Sequence, residues 1–176
     1  MPLFNRLLFK FSAYLRCRVI CGPKQQPYLE RYHLLSLPLG IHFYLHRFVA
    51  SDPGRALHNH PWRSALSLVL CGSYSETRLQ SHAQGCQLKK RRVCAGSLNF
   101  IGGGTYHRIN LAQGEEAWTL FMHTASHRSW GFLNTDNRQF SYIDHNQTLK
   151  TNSDPRWWQT SLRPCNKPDM RIAINE

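Results

Sequence analysis

From Tyr28 to about Ser126 the chain alternates apolar and polar positions over short stretches rather than spacing them at helical intervals. The runs LERYHLLS, IHFYLHRFVA, ALHNH, SALSLVL, SYSETRLQ, CQLKKRRVC, SLNFI, YHRINL and EAWTLFMHTA are rich in β-branched and aromatic residues, and the clusters SLPLG, SDPGR, HAQG, IGGGT and AQGEE separate them. Alternation sends successive side chains to opposite faces of a strand, while Gly, Pro, Asp and Asn supply the turns between strands. A series of such runs with no helix among them predicts an all-β domain, a sandwich or a barrel.

Both flanks break this pattern. In PLFNRLLFKFSAYLRCRVI the apolar residues Leu3, Phe4, Leu7, Leu8, Phe11 and Leu15 fall at helical spacing with Arg6, Lys10 and Arg16 between them. A basic amphipathic helix follows, one that docks on the protein body or makes weak contact with an anionic membrane surface. After Trp130 the chain turns polar, and SYIDH with Trp157 and Trp158 are its packing anchors, which predicts an irregular C-terminal extension. The expected division is residues 1–27 as N-terminal segment and linker, 28–135 as barrel and 136–176 as extension packed on the barrel or trailing from it.

Composition narrows the picture. A chain of 176 residues with 41% hydrophobic and 12% aromatic content can bury one core and is unlike a disordered chain. Lys and Arg number 22 against 10 Asp and Glu, a net charge of +12 that attracts anions. The one tight basic cluster, Leu88 to Val93, is too short to specify a nucleic-acid fold, so no specific nucleic-acid partner is expected. No run approaches the roughly 20 apolar residues of a membrane span. Six cysteines without a CxxC pair, and no uninterrupted apolar leader, point to reduced thiols and a cytoplasmic chain.

The candidate chemistry lies in LHNHPWRSALSLVLCGSY. On an extended strand His58 and His60 share a face and can reach one ion, although such a pair equally suits a solvated turn at a barrel rim. A mononuclear catalytic site needs about three protein ligands with open positions besides. The segment GSLNFIGGGTYHRIN offers the third: Gly96, Gly102 and Gly104 permit a tight reversal that can carry His107 beside the first pair.

These residues resemble the cupin superfamily, whose first motif sets HxH and a glutamate between glycines and whose second sets a glycine, PxG, a histidine and an asparagine. His58, His60 and Gly72 match the first motif, and Gly96, Gly104 and His107 match the second. HNHPW further suggests a small single-domain subgroup. The match departs from the pattern at Ala65 and Ser64, where the glutamate is usual, at Asp52 and Pro53 in place of the first glycine, at Gly102 in place of proline, and at Asn110, displaced by one. The resemblance covers roughly residues 40 to 125 and implies a jelly-roll barrel with a divalent metal near its mouth, most readily Fe(II), with Zn, Ni, Mn or Cu as alternatives. Ligands His58, His60 and His107, all neutral, resemble the three-histidine sites of thiol dioxygenases and favour a small anionic or polar substrate. A homodimer is also implied. Two other readings stay open: a metal-free binding module for an anion, and a sugar isomerase or epimerase working by histidine acid–base chemistry.

Around the histidines, Arg63 and Arg108, with Arg55 nearby, are candidates to clamp a carboxylate or phosphate, and Tyr44 or His46 to line the pocket, each against the reading of a plain surface residue. Trp62 and Tyr106 are candidate walls, and His123 is a reserve fourth ligand. No nucleophile motif stands out, and GGGT lacks the helix and lysine that a phosphate cradle requires.

Overall fold

The computed structural model describes residues 3–83, 85–136, 139–145, 154 and 156–173. Its elements are helix α1 (Leu3–Ser12), strands β1 (Arg16–Cys21), β2 (Pro27–Leu37), β3 (Ile41–Phe48), β4 (Leu57–His58), β5 (Ser64–His82), β6 (Gly85–Cys94), β7 (Leu98–Gly102), β8 (His107–Asn110), β9 (Ala117–His123), β10 (Gly131–Asp136) and β11 (Gln139–Asp144), and a short helix α2 (Trp157–Thr160). All pairings between these strands are antiparallel. One layer runs β1-β2-β3-β9-β5-β7 and the other β6-β5-β8-β4-β10-β11. The all-β architecture expected from the alternation, in the jelly-roll form that the resemblance implies, is the fold of this chain.

The layers are joined because β5 belongs to both. Its first half pairs with β7 and β9, and from Ser73 onward it pairs with β6 and β8. The crossing is at Gly72, whose φ is +76° and where an added Cβ would lie 2.0 Å from the Glu116 carbonyl oxygen. Only glycine combines that backbone with so close an approach. SALSLVL and SYSETRLQ, which look like two strands around a turn, are therefore one bent strand.

Two further elements differ from the sequence expectation. The helix stops at Ser12, and the remainder of the amphipathic segment, RCRVIC, is extended and joins the sheet as β1. GFLNTD and QFSYID, read as irregular chain, form a hairpin that extends the second layer through β4. β1 and β11 lie at the edges of their layers, where strands face solvent over much of their surface and alternate only weakly.

Strand parity sorts the interior into zones. Leu29, Phe48, Val69, Tyr74, Val93, Ile109 and Ala117 form one apolar cluster, and Tyr44, Trp62, Ala65, Ile101, Phe121 and Trp157 form another. Polar side chains lie between them. On the outer face of the first layer a third cluster, Cys17, Tyr32, Leu45 and Trp118, receives Leu8 and Phe9 of α1.

The helix docks through Leu8, Phe9 and a polar flank, and leaves most of its apolar stripe uncovered. Asn5 accepts from Trp118 Nε1, and Arg171 donates to the Phe9 carbonyl and the Ser12 hydroxyl while its guanidinium lies 3.5 Å from the Phe9 ring centre. Leu3, Phe4, Leu7 and Phe11 stay exposed.

Beneath the helix lies a buried ion network. Arg47 and Glu30 are fully buried and 3.1 Å apart, and Arg47 also pairs with Glu116 at 2.6 Å. The backbone N–H of Ile172 donates to Glu30 at 2.6 Å, and the Ile172 carbonyl accepts from Arg47 at 2.6 Å, so the C-terminal segment closes the network. Removing one member of such a pair strands a charge away from water, at about 3–5 kcal/mol. Arg47→Met should lower unfolding stability by about 3 kcal/mol in a denaturant titration, and adding Glu30→Gln should restore part of it.

Candidate metal centre

β4 and β8 pair at one position, His58 opposite His107, which sets the two rings side by side at the barrel interior with centroids 4.8 Å apart. His60 lies just past the end of β4, and its ring meets His58 at 4.9 Å and His107 at 5.1 Å. Potential ligand atoms of the three residues all lie within 4.8 Å of one another. The reversal that returns His107 passes through Gly103, which donates to the Arg63 carbonyl at 2.8 Å and where a Cβ would sit 2.5 Å from the Trp62 carbonyl oxygen. The glycine-rich turn thus clamps the second histidine segment onto the first.

Burial prepares the rings of His58 and His60 as neutral donors. Burial holds His58 down at about 3 and His60 well below the usual imidazole range, with the neighbouring charges of His107 and His58, respectively, acting the same way. His107 is 2% exposed and donates through Nδ1 to Glu76 Oε1 at 2.8 Å, so its Nε2 lone pair faces His60 Nε2 at 2.9 Å. Two ring nitrogens aimed at each other share either a proton or a cation. Neutral imidazoles with converging Nε2 atoms and one Nδ1 proton fixed by a carboxylate are the donor set that a divalent transition metal takes. The residues fit such an ion.

Glu76 is the residue sequence reasoning missed. It sits on β5 in the second layer, opposite Ile109 of β8 and Arg91 of β6, and is fully buried. Arg91 donates to its Oε2 at 2.7 Å, Asn99 at 3.2 Å, and Arg78 Nε lies 3.0 Å from Oε1. Burial pushes its carboxyl up, but the hydrogen bond from His107 and then the charges of His107 and Arg78 outweigh that and bring it down to about 2. The carboxylate expected beside the histidines is therefore present as a partner of His107, contributed from elsewhere on β5. Ala65, at the position where a ligating glutamate is usual, is buried opposite His123. Asp52 is also interior: it accepts from the Ile109 backbone at 2.6 Å, lies 3.8 Å from His58 Nδ1, and is pushed up to about 6 by burial.

The other candidates divide. Trp62 is a wall of the site, stacked on His60 at 4.4 Å and on His123 at 4.2 Å. His123 lies apart from the triad, its Nδ1 bonded to the Thr124 carbonyl at 2.8 Å. Tyr44 and His46 point inward and are buried, Tyr44 5.4 Å from His123 and His46 4.6 Å from Phe121. Arg63 is exposed, Arg108 donates to the Arg55 carbonyl at 2.8 Å, and Tyr106 meets Tyr142 edge-on. The arginine that reaches the interior is Arg31 on β2, whose Nε donates to His46 Nε2 at 3.0 Å. Its place within an alternating strand gave no signal to separate it from a solvated arginine.

No protein-family model matches the sequence, and no curated protein matches it. Solved structures do share its fold. DMSP lyase DddQ from Ruegeria pomeroyi superposes with a TM-score of 0.50 at 16% identity, over 71% of this chain and 65% of that one. A sugar phosphate isomerase of the cupin superfamily from Silicibacter pomeroyi gives 0.48 at 14% identity, over 78% and 91%. An oxalate oxidase gives 0.45 at 22% identity, over 60% and 56%. The chain spans about half the length of that oxidase. The likeness to the lyase is one of fold.

Two outcomes follow from the geometry. Glu76→Gln should weaken divalent-metal binding about 10- to 100-fold in a calorimetric titration, whereas His123→Ala should leave the stoichiometry unchanged. Folded-state values for His58 and His123 near 3 lie below the ordinary 6.5, so the unfolded chain binds more protons between those limits. Stability of the metal-free protein should accordingly fall as pH drops from about 6.5 towards 3, in thermal melts across that range.

Proposed function

We propose that this protein is a metal-dependent enzyme of the oxygenase type, acting on a small anionic substrate at the mouth of the barrel, with His58, His60 and His107 as metal ligands. The observation that carries the reading is the convergence of three imidazoles from β4, the chain just after it and β8, with His58 and His60 held neutral by burial and the Nδ1 proton of His107 fixed by a buried carboxylate. A bound Fe(II) supplies Lewis acidity and redox capacity at coordination positions the protein leaves open.

The chain's own residues set the conditions for that chemistry. Glu76 holds the Nδ1 proton of His107, fixing the tautomer and making Nε2 the more basic donor. Trp62 stacks on His60 and limits the tilt of its ring. Phe121, Ile101 and Trp157 line the neighbouring apolar cluster and exclude water. Three neutral ligands leave the full charge of a divalent ion uncompensated, which favours an anionic substrate over a neutral one. A metal-free acid–base enzyme is supported by one feature only, the 2.9 Å contact between His60 Nε2 and His107 Nε2, through which a proton can be shared.

Anaerobic purification and reconstitution with Fe(II), followed by elemental analysis, tests the reading. Wild-type protein should retain about one equivalent and each of His58→Ala, His60→Ala and His107→Ala less than a tenth. Wild-type protein that holds less than a tenth of an equivalent of any transition metal would overturn it. Oxygen uptake with a panel of small carboxylates then separates oxygenase from isomerase chemistry.

A further inference from the structure

Arg31 occupies an unusual position for a cation. It lies on β2 directly opposite His46 of β3, on the strand face turned toward the barrel interior. Its neighbour Glu30 points the other way, into the ion network with Arg47. The guanidinium lies 5.4 Å from the Tyr44 ring centre, and its positive charge acts on His46, His123 and the triad member His60. It therefore shares the interior with the three histidines.

No carboxylate among the described residues pairs with it. The two interior carboxylates are committed elsewhere, Glu76 to His107, Arg78 and Arg91, and Asp52 to the Ile109 backbone. The one hydrogen bond that Arg31 makes among the described residues uses Nε, which leaves both terminal amino groups without a protein acceptor. Arg31 is half-buried, so its guanidinium loses part of its hydration without gaining a counter-ion, and contact with the Tyr44 ring offsets some of that loss.

Its orientation is nonetheless held firmly. His46 anchors Nε and is stacked on Phe121, Phe121 meets Trp62 edge-on at 5.4 Å, and Trp62 stacks on His60. This row of rings connects the arginine to the triad. A planar fork of donors, fixed at its root and empty at its tip, matches two oxygens of one anionic group.

We propose that Arg31 is the substrate-anchoring residue of this site, receiving the oxyanion head of an acidic substrate, a carboxylate or a phosphate, while the rest of the molecule extends toward His58, His60 and His107. The assignment rests on the metal-enzyme reading for what happens at the triad but not for the anion contact itself.

The test is binding of malonate, malonamide and inorganic phosphate to the zinc-loaded and the metal-free protein, followed by calorimetry. Wild-type protein should bind malonate at least tenfold more tightly than malonamide in both forms. Arg31→Gln should lose at least tenfold in malonate affinity, Arg31→Lys should recover part of it, and Arg63→Ala should match wild type. The ranking of malonate against phosphate identifies which oxyanion the site prefers. On the unaltered protein, malonate should protect Arg31 from phenylglyoxal, read by peptide mass spectrometry, without protecting Arg63. Equal malonate affinity in wild type and Arg31→Gln, or equal modification of Arg31 with and without malonate, would overturn the proposal. Zinc stoichiometry measured on the same samples reports separately on the triad.

Discussion

The site depends on one buried carboxylate. Glu76 is fully buried on the central strand β5, and its two oxygens hold His107 on one side and Arg91 on the other. A carboxylate taken out of water is tolerated only where charge and hydrogen bonds replace the lost solvent, and here Arg78, Arg91, Asn99 and His107 provide them. The arrangement works in both directions. His107 helps keep Glu76 ionised, and ionised Glu76 fixes which nitrogen of His107 is available to the interior. Because β5 joins the two layers, the residue that orients the histidine is also part of the strand that closes the barrel.

Much of this was legible in the chain. The spacing of His58 and His60, the glycine-rich turn and His107 could be read directly, because each is a local pattern with a local structural meaning. The carboxylate partner was not, since Ala65 stands where the resemblance places a glutamate, and Glu76 reaches the site through strand register. Register is a long-range property that alternation alone leaves open. The same holds for Arg31, which looks like any basic residue in a half-buried strand until its partner His46 shows which face it occupies. β1 and β11 were missed for a related reason: their weak alternation reflects edge positions.

Histidines in this barrel are partitioned rather than pooled. His58, His60 and His107 converge, while His123 lies apart, across Trp62, with its Nδ1 bonded to the Thr124 carbonyl. His46 is neutral and receives the Nε proton of Arg31. Burial depresses His46, His58, His60 and His123 for the same reason, loss of solvent around the charged form, and a row of neutral rings results. What distinguishes their roles is the second nitrogen of each ring, committed to Glu76, to a backbone carbonyl or to an arginine.

The excess positive charge is likewise sorted by position in the sheets. Nearly all of β6 is exposed at the edge of its layer, and its run of Lys and Arg blunts an edge that would otherwise invite pairing with another chain. That accounts for the basic cluster without a nucleic acid. Arg91 of the same strand reaches back to Glu76, and Arg47 is neutralised between Glu30 and Glu116. Arg31 is half-buried on the face it shares with His46, no carboxylate among the described residues pairs with it, and the proposed anion is the partner that would complete it.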